Sequence, residues 1–304
     1  MKMFPISPWT VIAALLGVSL SIYLYSFYTA LSCELVIAAL LGASLSITII
    51  SYFSTIWPAW KRIREQAAAM KECGHLSDPP TDEDYAVLQR ICRFFVNCFV
   101  GKIEVVGGEK LQTMQAPYIL VFNHGSLLDT AIAPLVLNRK ARVPAAEGVT
   151  SLLGGLVGYA MSKWGVFPVV LANGSAAFKS AVKVLEMGEI IQLYPEAWTW
   201  MDGKIGPFKT GTVRMARQAT TELGKTVNIV PAYMHYGRYP GSWIRKFPIP
   251  LQWLVPFLFV WRYRRGVKVV VGEPLHPFED LPAQGAKEAT EQLKLKVEAL
   301  KPAS

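Results

Sequence analysis

Cysteine and histidine are scarce in this chain, which holds only four of each among its 304 residues. None of the cysteines shows CxxC spacing, and none of the histidines shows the spacing of metal ligands. The sequence therefore predicts neither a zinc site nor a disulfide framework, and the thiols are expected to stay reduced in a cytosolic environment. A G-x-S-x-G nucleophile elbow is also missing, which leaves the chain without a predicted serine nucleophile. The four cysteines are Cys33, Cys73, Cys92 and Cys98.

Acidic residues are outnumbered by basic ones, 22 against 31, so the net charge is +9. This charge favours an anionic partner, and both nucleic acid and an anionic membrane surface have the required sign. No stretch resembles a nucleic-acid-binding module, whereas 52% of the residues are hydrophobic, an unusually high share for a soluble enzyme. Membrane lipid is therefore the predicted partner, and nucleic acid is not.

Charge is absent from two long stretches, Phe4 to Cys33 and Leu35 to Trp60, which only Glu34 separates. Each is long enough to cross roughly 30 Å of hydrocarbon as a helix. They are near copies, because VIAALLGVSLSI begins at Val11 and VIAALLGASLSI at Val36. We expect a duplicated transmembrane helix; the alternative is a pair of buried helices in a soluble core. Basic residues flank the pair, so the positive-inside rule places both ends in the cytoplasm: Lys2, Lys61, Arg62 and Arg64.

Three segments follow from these patterns: a membrane-anchoring helical hairpin over residues 1–60, a polar junction over 61–80 and a larger domain over 81–304. Thr81 with three acidic residues after it predicts the start of a helix that runs to about Val100. Beyond it, strand-like and helix-like stretches alternate, which argues for an α/β sheet with helices on its faces. The predicted strands are Ile103–Val106, Tyr118–Phe122, Val166–Val170, Ile190–Tyr194, Val227–Tyr233 and Val267–Val271. The predicted helices are 127–138, 174–187, 208–223 and 286–301.

A candidate general base follows one of these strands. The apolar run from Tyr118 to Phe122 ends at Asn123-His124, and Asp129 follows five residues after the histidine. Asp129 would accept a hydrogen bond from one ring nitrogen while the other faces a substrate hydroxyl, as in the base-orienter half of a catalytic triad. Ser126 is poorly placed as the nucleophile of this base, so the base is predicted to act on an external hydroxyl. The alternative is a histidine that caps a helix N-terminus.

Two further apolar runs each contain or end in a residue that is unusual for a buried strand. An apolar run from Ile190 ends in Pro195-Glu196, and a glycine-containing turn follows, which suits the binding of a polar head group. The alternative for Glu196 is a solvated loop charge. In the other stretch Pro231 stands inside an apolar run, which predicts an edge strand or the end of a strand.

In this order and spacing, these stretches resemble the glycerolipid and lysophospholipid acyltransferase family. Its N-H-x4-D motif is matched by Asn123, His124 and Asp129. Its second motif, G-x-F-P-V-x-R, corresponds to GVFPVVL at residues 165–171, and its third, F-P-E-G-T-R-S, to YPEAWTW at residues 194–200. Its fourth motif, a V-P-V-like strand, corresponds to VPA at residues 230–232. The resemblance covers about residues 100–275.

The resemblance implies a central mixed sheet with helices on both faces, preceded here by the membrane hairpin. It also implies transfer of a fatty acyl group from acyl-CoA or acyl carrier protein to a lipid hydroxyl, with a lysophosphatidic-acid-type acceptor as the family default. His124 would be the general base and Asp129 would orient it, with no metal and no redox cofactor. The catalytic domain would lie on the cytoplasmic face of the membrane. The implied acceptor-binding residues are Asn123, Pro195, Glu196, Trp198, Thr199 and Lys209.

The departures from the family pattern concern the acceptor. Leu171 and Thr199 stand where the family has arginines that grip phosphate, and Ala197 stands where it has glycine. Arginine binds phosphate in a bidentate manner that neither replacement can reproduce, which favours a less charged or glycolipid acceptor. Alternatively, nearby lysines hold the phosphate: Lys163, Lys204 or Lys209. Trp198 and Trp200 would offer stacking surfaces or anchor the loop at the membrane interface.

Two other functions remain open, a catalytically degenerate lipid-binding protein and an acyl-thioesterase. A late apolar segment, Phe247 to Trp261, is broken by prolines and flanked by basic residues. It is too short to span a bilayer, so we expect it to lie in the interface of an anionic leaflet; the alternative is a buried hairpin.

Overall fold

The computed structural model describes residues 17–18, 21, 33–51, 54, 57–69, 75–169, 174–237, 242–247, 251–252, 257–258, 265–282 and 285–302. The chain divides into two compact units, Met1–Ala68 and Ala69–Ser304. Helix α1 (Cys33–Ser51) lies in the first unit, and helix α2 (Trp57–Ala69) ends at the boundary. Within the described ranges, no helix has both the length and the apolar character needed to cross a membrane. Most of the first predicted membrane run lies outside those ranges, and the hairpin stays a prediction.

The second unit alternates helices and strands as the sequence predicts. Its strands are β1 (Ile103–Val106), β2 (Tyr118–Phe122), β3 (Val143–Ala146), β4 (Val166–Val169), β5 (Ile191–Leu193), β6 (Asn228–His235) and β7 (Val267–Val271). Its helices are α3 (Asp82–Phe99), α4 (Glu109–Thr113), α5 (Asp129–Leu137), α6 (Glu147–Thr150), α7 (Leu156–Ser162), α8 (Gly174–Glu186), α9 (Gly211–Leu223) and α10 (Ala286–Ala299), with 3-10 turns at Leu152–Gly155 and Ser242–Lys246. Helix α3 begins as predicted, because the Thr81 hydroxyl accepts a hydrogen bond from the backbone N–H of Asp84 at 3.1 Å.

The main sheet has the strand order β1-β7-β6-β2-β5. Strand β2 runs parallel to both neighbours, β5 and β6, whereas β6 and β7 pair in antiparallel fashion. The prediction of an α/β fold with a mixed sheet is therefore confirmed. Strands β3 and β4 form a short parallel sheet beside β5, to which a single bridge between Arg142 and Ile191 connects it.

Strand β2 lies at the centre of the hydrophobic core, and all five of its residues are buried. Because successive side chains of a strand point to opposite faces, β2 contributes to two cores. Ile119 and Val121 pack with residues of α8, α9 and α10, whereas Tyr118, Leu120 and Phe122 pack with residues of α3 and α5. Burial on both faces is typical of a parallel strand covered by helices and fixes the position of the residues that follow it.

The expectation that Pro231 marks an edge strand or a strand end is wrong. Pro231 lies inside β6, an internal strand that pairs with β2 on one side and β7 on the other. The antiparallel ladder with β7 begins only at the next residue, Ala232, and the Pro231 carbonyl accepts a hydrogen bond from Gly272 at 2.8 Å. The missing N–H of proline thus falls beyond the end of the ladder, where the sheet requires no donor.

Candidate active site

The carboxyl ends of three adjacent parallel strands meet at one edge of the sheet. Strand β2 ends just before His124, β5 just before the loop that carries Glu196, and β6 just before Tyr236. In an open α/β sheet, ligands bind outside the carboxyl ends of the strands. The sheet order therefore brings together side chains that are 72 to 107 positions apart in the sequence.

The imidazole of His124 is held between a carboxylate and a hydroxyl group. Its Nδ1 lies 2.8 Å from Oδ2 of Asp129, and its Nε2 lies 3.2 Å from Oγ1 of Thr199. Because an ionised carboxylate can only accept, Nδ1 carries the hydrogen and Nε2 is left as a proton acceptor. The ring also stacks on Tyr194, with the centroids 4.3 Å apart, and its side chain is 13% exposed.

Asp129 is fully buried and accepts several hydrogen bonds. Oδ2 accepts from the backbone N–H of Ser126 at 2.9 Å, and Oδ1 accepts from the hydroxyl of Tyr236. The Ser126 hydroxyl accepts from the backbone N–H of Leu128 at 3.2 Å, so it stabilises the turn that leads into α5. These contacts fix the carboxylate and hence the ring of His124, as the local spacing of the two residues predicts.

Glu196 is buried beneath the site and contacts the backbone on two sides. Oε1 accepts from the N–H of His124 and Oε2 from the N–H of Gly206, each at 2.7 Å. Burial raises the pKa of this carboxyl group to about 7, although the two hydrogen bonds lower it. The alternative of a solvated loop charge does not describe this side chain, which is 4% exposed. Its predicted contact with substrate stays a prediction.

Asn123 is also buried and joins two strands. Its side-chain nitrogen donates to the carbonyl of Met234 at 3.2 Å, and its side-chain oxygen accepts from the N–H of Met234 at 2.7 Å. The amide thereby extends the pairing of β2 and β6 by one step beyond the end of β2. This contact accounts for an asparagine directly before His124, and a role of Asn123 in binding substrate stays a prediction.

The loop from Tyr194 to Trp200 crosses the site. Ala197 adopts the left-handed conformation with φ of 53°, a region that glycine occupies more readily. Trp198 is exposed, whereas the indole of Trp200 packs directly on Gly206, where a Cβ atom would approach it to 2.2 Å. The backbone N–H of Trp200 donates to the carbonyl of His124 at 2.6 Å, which fastens the loop over the histidine.

The remaining predicted residues contribute in different ways. The backbone N–H of Lys209 donates to the carbonyl of Pro195 at 2.8 Å, so these two residues close the base of the loop. The side chains of Lys163, Lys204 and Lys209 are all exposed to solvent. Leu171 lies outside the described residues. The contacts of these side chains with an acceptor stay predictions.

Tyr236 is a site residue that the sequence reasoning missed. It stands immediately after β6, whose carboxyl end adjoins that of β2, and it is 1% exposed. A polar side chain directly after a parallel strand was the available signal. Tyr236 also lines a cavity of about 340 Å³ with basic residues at the ends of β1 and β7: Lys102, Arg265 and Lys268. In the part of the chain that the structure describes, no cluster of metal-ligating side chains is present.

Comparison with known proteins gives the same family as the motifs. The family model described as Acyltransferase matches residues 102–235. A chloroplastic 1-acyl-sn-glycerol-3-phosphate acyltransferase of Brassica napus is 28% identical over 118 residues, which are 38% of this chain and 33% of that protein. Its counterpart in Arabidopsis thaliana is 29% identical over 118 residues, 38% of this chain and 32% of that protein. The chain thus matches about a third of the length of these curated relatives.

Among solved structures, the chain is similar to the 1-acyl-sn-glycerophosphate acyltransferase PlsC from Thermotoga maritima. The TM-score is 0.49 at 19% sequence identity, over 71% of this chain and 78% of that one. The matched residues 102–235 run from β1 to the end of β6 and contain both His124 and Thr199. Over this segment the chain matches the Acyltransferase family model, and it is similar to plant 1-acyl-sn-glycerol-3-phosphate acyltransferases.

Proposed function

We propose that the protein is an O-acyltransferase that moves a fatty acyl group from acyl-CoA or acyl carrier protein to a lipid hydroxyl. One observation carries the proposal: Nδ1 of His124 is bound to the buried Asp129 while Nε2 meets a hydroxyl group. This is the arrangement that a general base for an alcohol requires. The family match over residues 102–235 supports acyl transfer as the reaction in which the base acts.

In this mechanism His124 takes the proton from the hydroxyl of the acceptor through Nε2. The oxygen attacks the acyl carbonyl carbon, and the imidazolium is stabilised by the carboxylate of Asp129, 2.8 Å away. Hydrogen bonds from Ser126 and Tyr236 keep that carboxylate in place. General-base assistance of this kind typically contributes about 10²- to 10⁴-fold to the rate.

The acceptor we propose is a lysolipid with a free hydroxyl. The curated relatives are named for 1-acyl-sn-glycerol 3-phosphate, which makes that acceptor the first to test. Thr199 next to His124 carries no charge, and arginine-type recognition of phosphate is lost there. Neutral lysolipids and glycolipids therefore belong in the same comparison, with the exposed Lys204 and Lys209 as candidates to hold a phosphate.

We further propose that the catalytic domain works at the cytoplasmic surface of a membrane to which the hairpin of residues 1–60 anchors it. Support comes from an exposed apolar face formed by Ile91 and Phe94 of α3 together with Phe257 and Leu258, which adjoin α3 through the ring contact of Phe257 with Phe95. Phe94 and Leu258 are 63% and 61% exposed, and Phe257 packs edge-on against Phe99 with centroids 4.9 Å apart. Exposed basic residues accompany it on α3, at Arg90 and Arg93, so the face suits an anionic leaflet.

The test uses the full-length protein in detergent or lipid vesicles. Acyl-CoA and acyl carrier protein are offered as donors with 1-acylglycerol 3-phosphate, neutral lysolipids and a glycolipid as acceptors, and products are identified by mass spectrometry. We expect an acylated lipid from the wild type and a loss of about 10²- to 10⁴-fold in His124→Ala. His276→Ala is the control, since His276 contacts Thr226, which precedes the amino end of β6 at the edge of the sheet opposite His124, and the variant is expected to leave the rate unchanged.

Each other outcome has a distinct meaning. Free fatty acid without an acylated lipid would show a thioesterase, and bound lipid without turnover would show a lipid-binding protein. If His124→Ala kept the wild-type rate across the pH range, His124 would not be the base.

A further inference from the structure

Thr199 occupies the position of a nucleophile in a triad. Its Oγ1 lies 3.2 Å from Nε2 of His124, and Nδ1 of the same ring lies 2.8 Å from Asp129. A hydroxyl within hydrogen-bond reach of a base, with the base oriented by a third group, is the structural signature of nucleophilic catalysis. The three residues come from the loop after β5, the end of β2 and the start of α5.

Residues on both sides of Thr199 are hydrogen-bonded to the backbone of His124. Three residues earlier, Glu196 accepts a hydrogen bond from the N–H of His124, and one residue later, the N–H of Trp200 donates to the carbonyl of His124. These contacts set the distance between the hydroxyl and the ring without requiring a substrate. The side chain of Thr199 is only partly buried, so an acyl chain delivered from solvent or lipid has access to it.

The side chain of Thr199 itself also favours a nucleophilic role. The position that the family pattern fills with arginine holds threonine here, which exchanges a cation for a hydroxyl. A hydroxyl that already donates to Nε2 is activated by the same base that the acceptor needs. If the acceptor alone used Nε2, it would first have to displace this hydroxyl.

We propose that Thr199 is a covalent nucleophile that carries the acyl group between donor and acceptor. The proposal rests on acyl transfer as the function. In the first step Oγ1 of Thr199 gives its proton to Nε2 of His124 and attacks the thioester carbonyl carbon. The carbon–sulfur bond breaks, and the departing thiolate takes the proton from His124, which leaves an acyl ester on Thr199 and a free thiol.

In the second step the acceptor hydroxyl gives its proton to His124, and its oxygen attacks the carbonyl carbon of that ester. The bond from the carbonyl carbon to Oγ1 breaks, and Oγ1 recovers the proton from His124. The sum is one thioester and one alcohol converted into one ester and one thiol, with Thr199 and His124 restored. The same imidazole thus serves twice, as base and then as acid, in the manner of serine hydrolases.

The experiment separates this two-step route from direct transfer. Full-length protein is mixed with palmitoyl-CoA in the absence of acceptor and quenched in acid. Its mass is measured by intact-protein mass spectrometry, and the acylated peptide is identified by sequencing after proteolysis. We expect the mass of one palmitoyl group on Thr199 and one equivalent of free CoA released in a burst. With acceptor present, initial rates over both substrates should give parallel double-reciprocal lines, because the thiol leaves before the acceptor reacts.

Variants assign the adduct to the hydroxyl. Thr199→Val keeps the shape of the side chain and lacks the nucleophile, so it should lose the adduct and on the order of 10³-fold or more in turnover. Thr199→Ser keeps a hydroxyl and should still form the adduct. A thermal melt verifies folding, and if Thr199→Val does not fold, the wild-type adduct and the rate pattern still decide the matter.

Two results would overturn the proposal while acyl transfer stands. One is a wild type that makes acylated lipid with intersecting double-reciprocal lines and no adduct. The other is a Thr199→Val variant that keeps turnover within about threefold of the wild type. If the wild type gave neither an adduct nor an acylated lipid with any donor and acceptor, the proposed function itself would fail.

Discussion

The backbone N–H of His124 donates a 2.7 Å hydrogen bond to Oε1 of Glu196, 72 positions further along the chain. The other oxygen of the same carboxylate accepts from Gly206 at 2.7 Å. One buried acid therefore fastens the residue that we propose as the base to the segment between β5 and α9, at Glu196 itself and at Gly206. Because the acid is buried, its ionisation affects the stability of the site.

We predict that the stability of the protein falls as the pH rises from about 4.5 to about 7. Burial raises the pKa of Glu196 from 4.5 to about 7, so within this window the unfolded chain has released a proton that the folded chain still holds. The stabilising contribution is complete below the lower value and lost above the upper one. A shift of this size corresponds to about 3 kcal/mol.

Chemical denaturation as a function of pH measures this effect. Glu196→Gln cannot ionise and should flatten the dependence, whereas Glu222→Gln, on the exposed surface of α9, should keep the wild-type slope. An unchanged slope in Glu196→Gln would contradict the assignment of the titration to this residue.

The orientation of His124 depends on Asp129, which gives a second prediction. Asp129→Asn places an amide next to Nδ1, so the ring can adopt the opposite tautomer, and we expect kcat to fall by about 10³- to 10⁴-fold. Tyr236→Phe removes the hydrogen bond to Oδ1 but leaves the carboxylate next to Nδ1, so it should reduce kcat by about tenfold or less. Steady-state rates of the two variants give the comparison. Equal losses in both would mean that the tautomer is not controlled by the carboxylate.

The loop carries strain at Ala197, whose φ is 53°. Left-handed backbone is less favourable for alanine than for glycine, so Ala197→Gly should raise the free energy of unfolding by about 1 kcal/mol. Ala176→Gly, inside helix α8, should instead lower it by about 1 kcal/mol. Thermal or denaturant unfolding measures both changes, and a loss of stability in Ala197→Gly would show that the residue is not strained.

Gly206 is predicted to be intolerant of any side chain. A Cβ at this position would lie 2.2 Å from the indole of Trp200, so Gly206→Ala should lower the free energy of unfolding by about 1–3 kcal/mol and displace the loop. Gly211→Ala is the control, since its Cβ would have no atom within 4 Å and alanine favours the helix there. The free energy of unfolding and kcat should therefore fall for the first variant only; a Gly206→Ala protein of wild-type stability would contradict the close packing.

Features that depend on short stretches of sequence could be predicted well. Three strands, β1, β2 and β7, have the predicted bounds, because each is a stretch of four or five mostly β-branched or aromatic residues with at most one charge. Strand β3 was missed, since VPAA offers neither alternation nor a β-branched majority, and it forms only by pairing with β4. The environment of Pro231 was misjudged for a related reason: whether a missing donor matters depends on where the neighbouring ladder begins.

The sequence alone determined the pairing of His124 with Asp129, because a buried strand followed by a five-residue step to a helix start allows that contact locally. Only the tertiary structure decided what surrounds the pair. The parallel order of β5, β2 and β6 brings Glu196, Thr199 and Tyr236 to the same edge of the sheet. Contacts across 72, 75 and 107 positions leave no periodic signal in the sequence, since strand order is set by long-range pairing and by helices that cover both faces. The hydroxyl on Nε2 of His124, and with it the proposed covalent step, could therefore be recognised only in the folded chain.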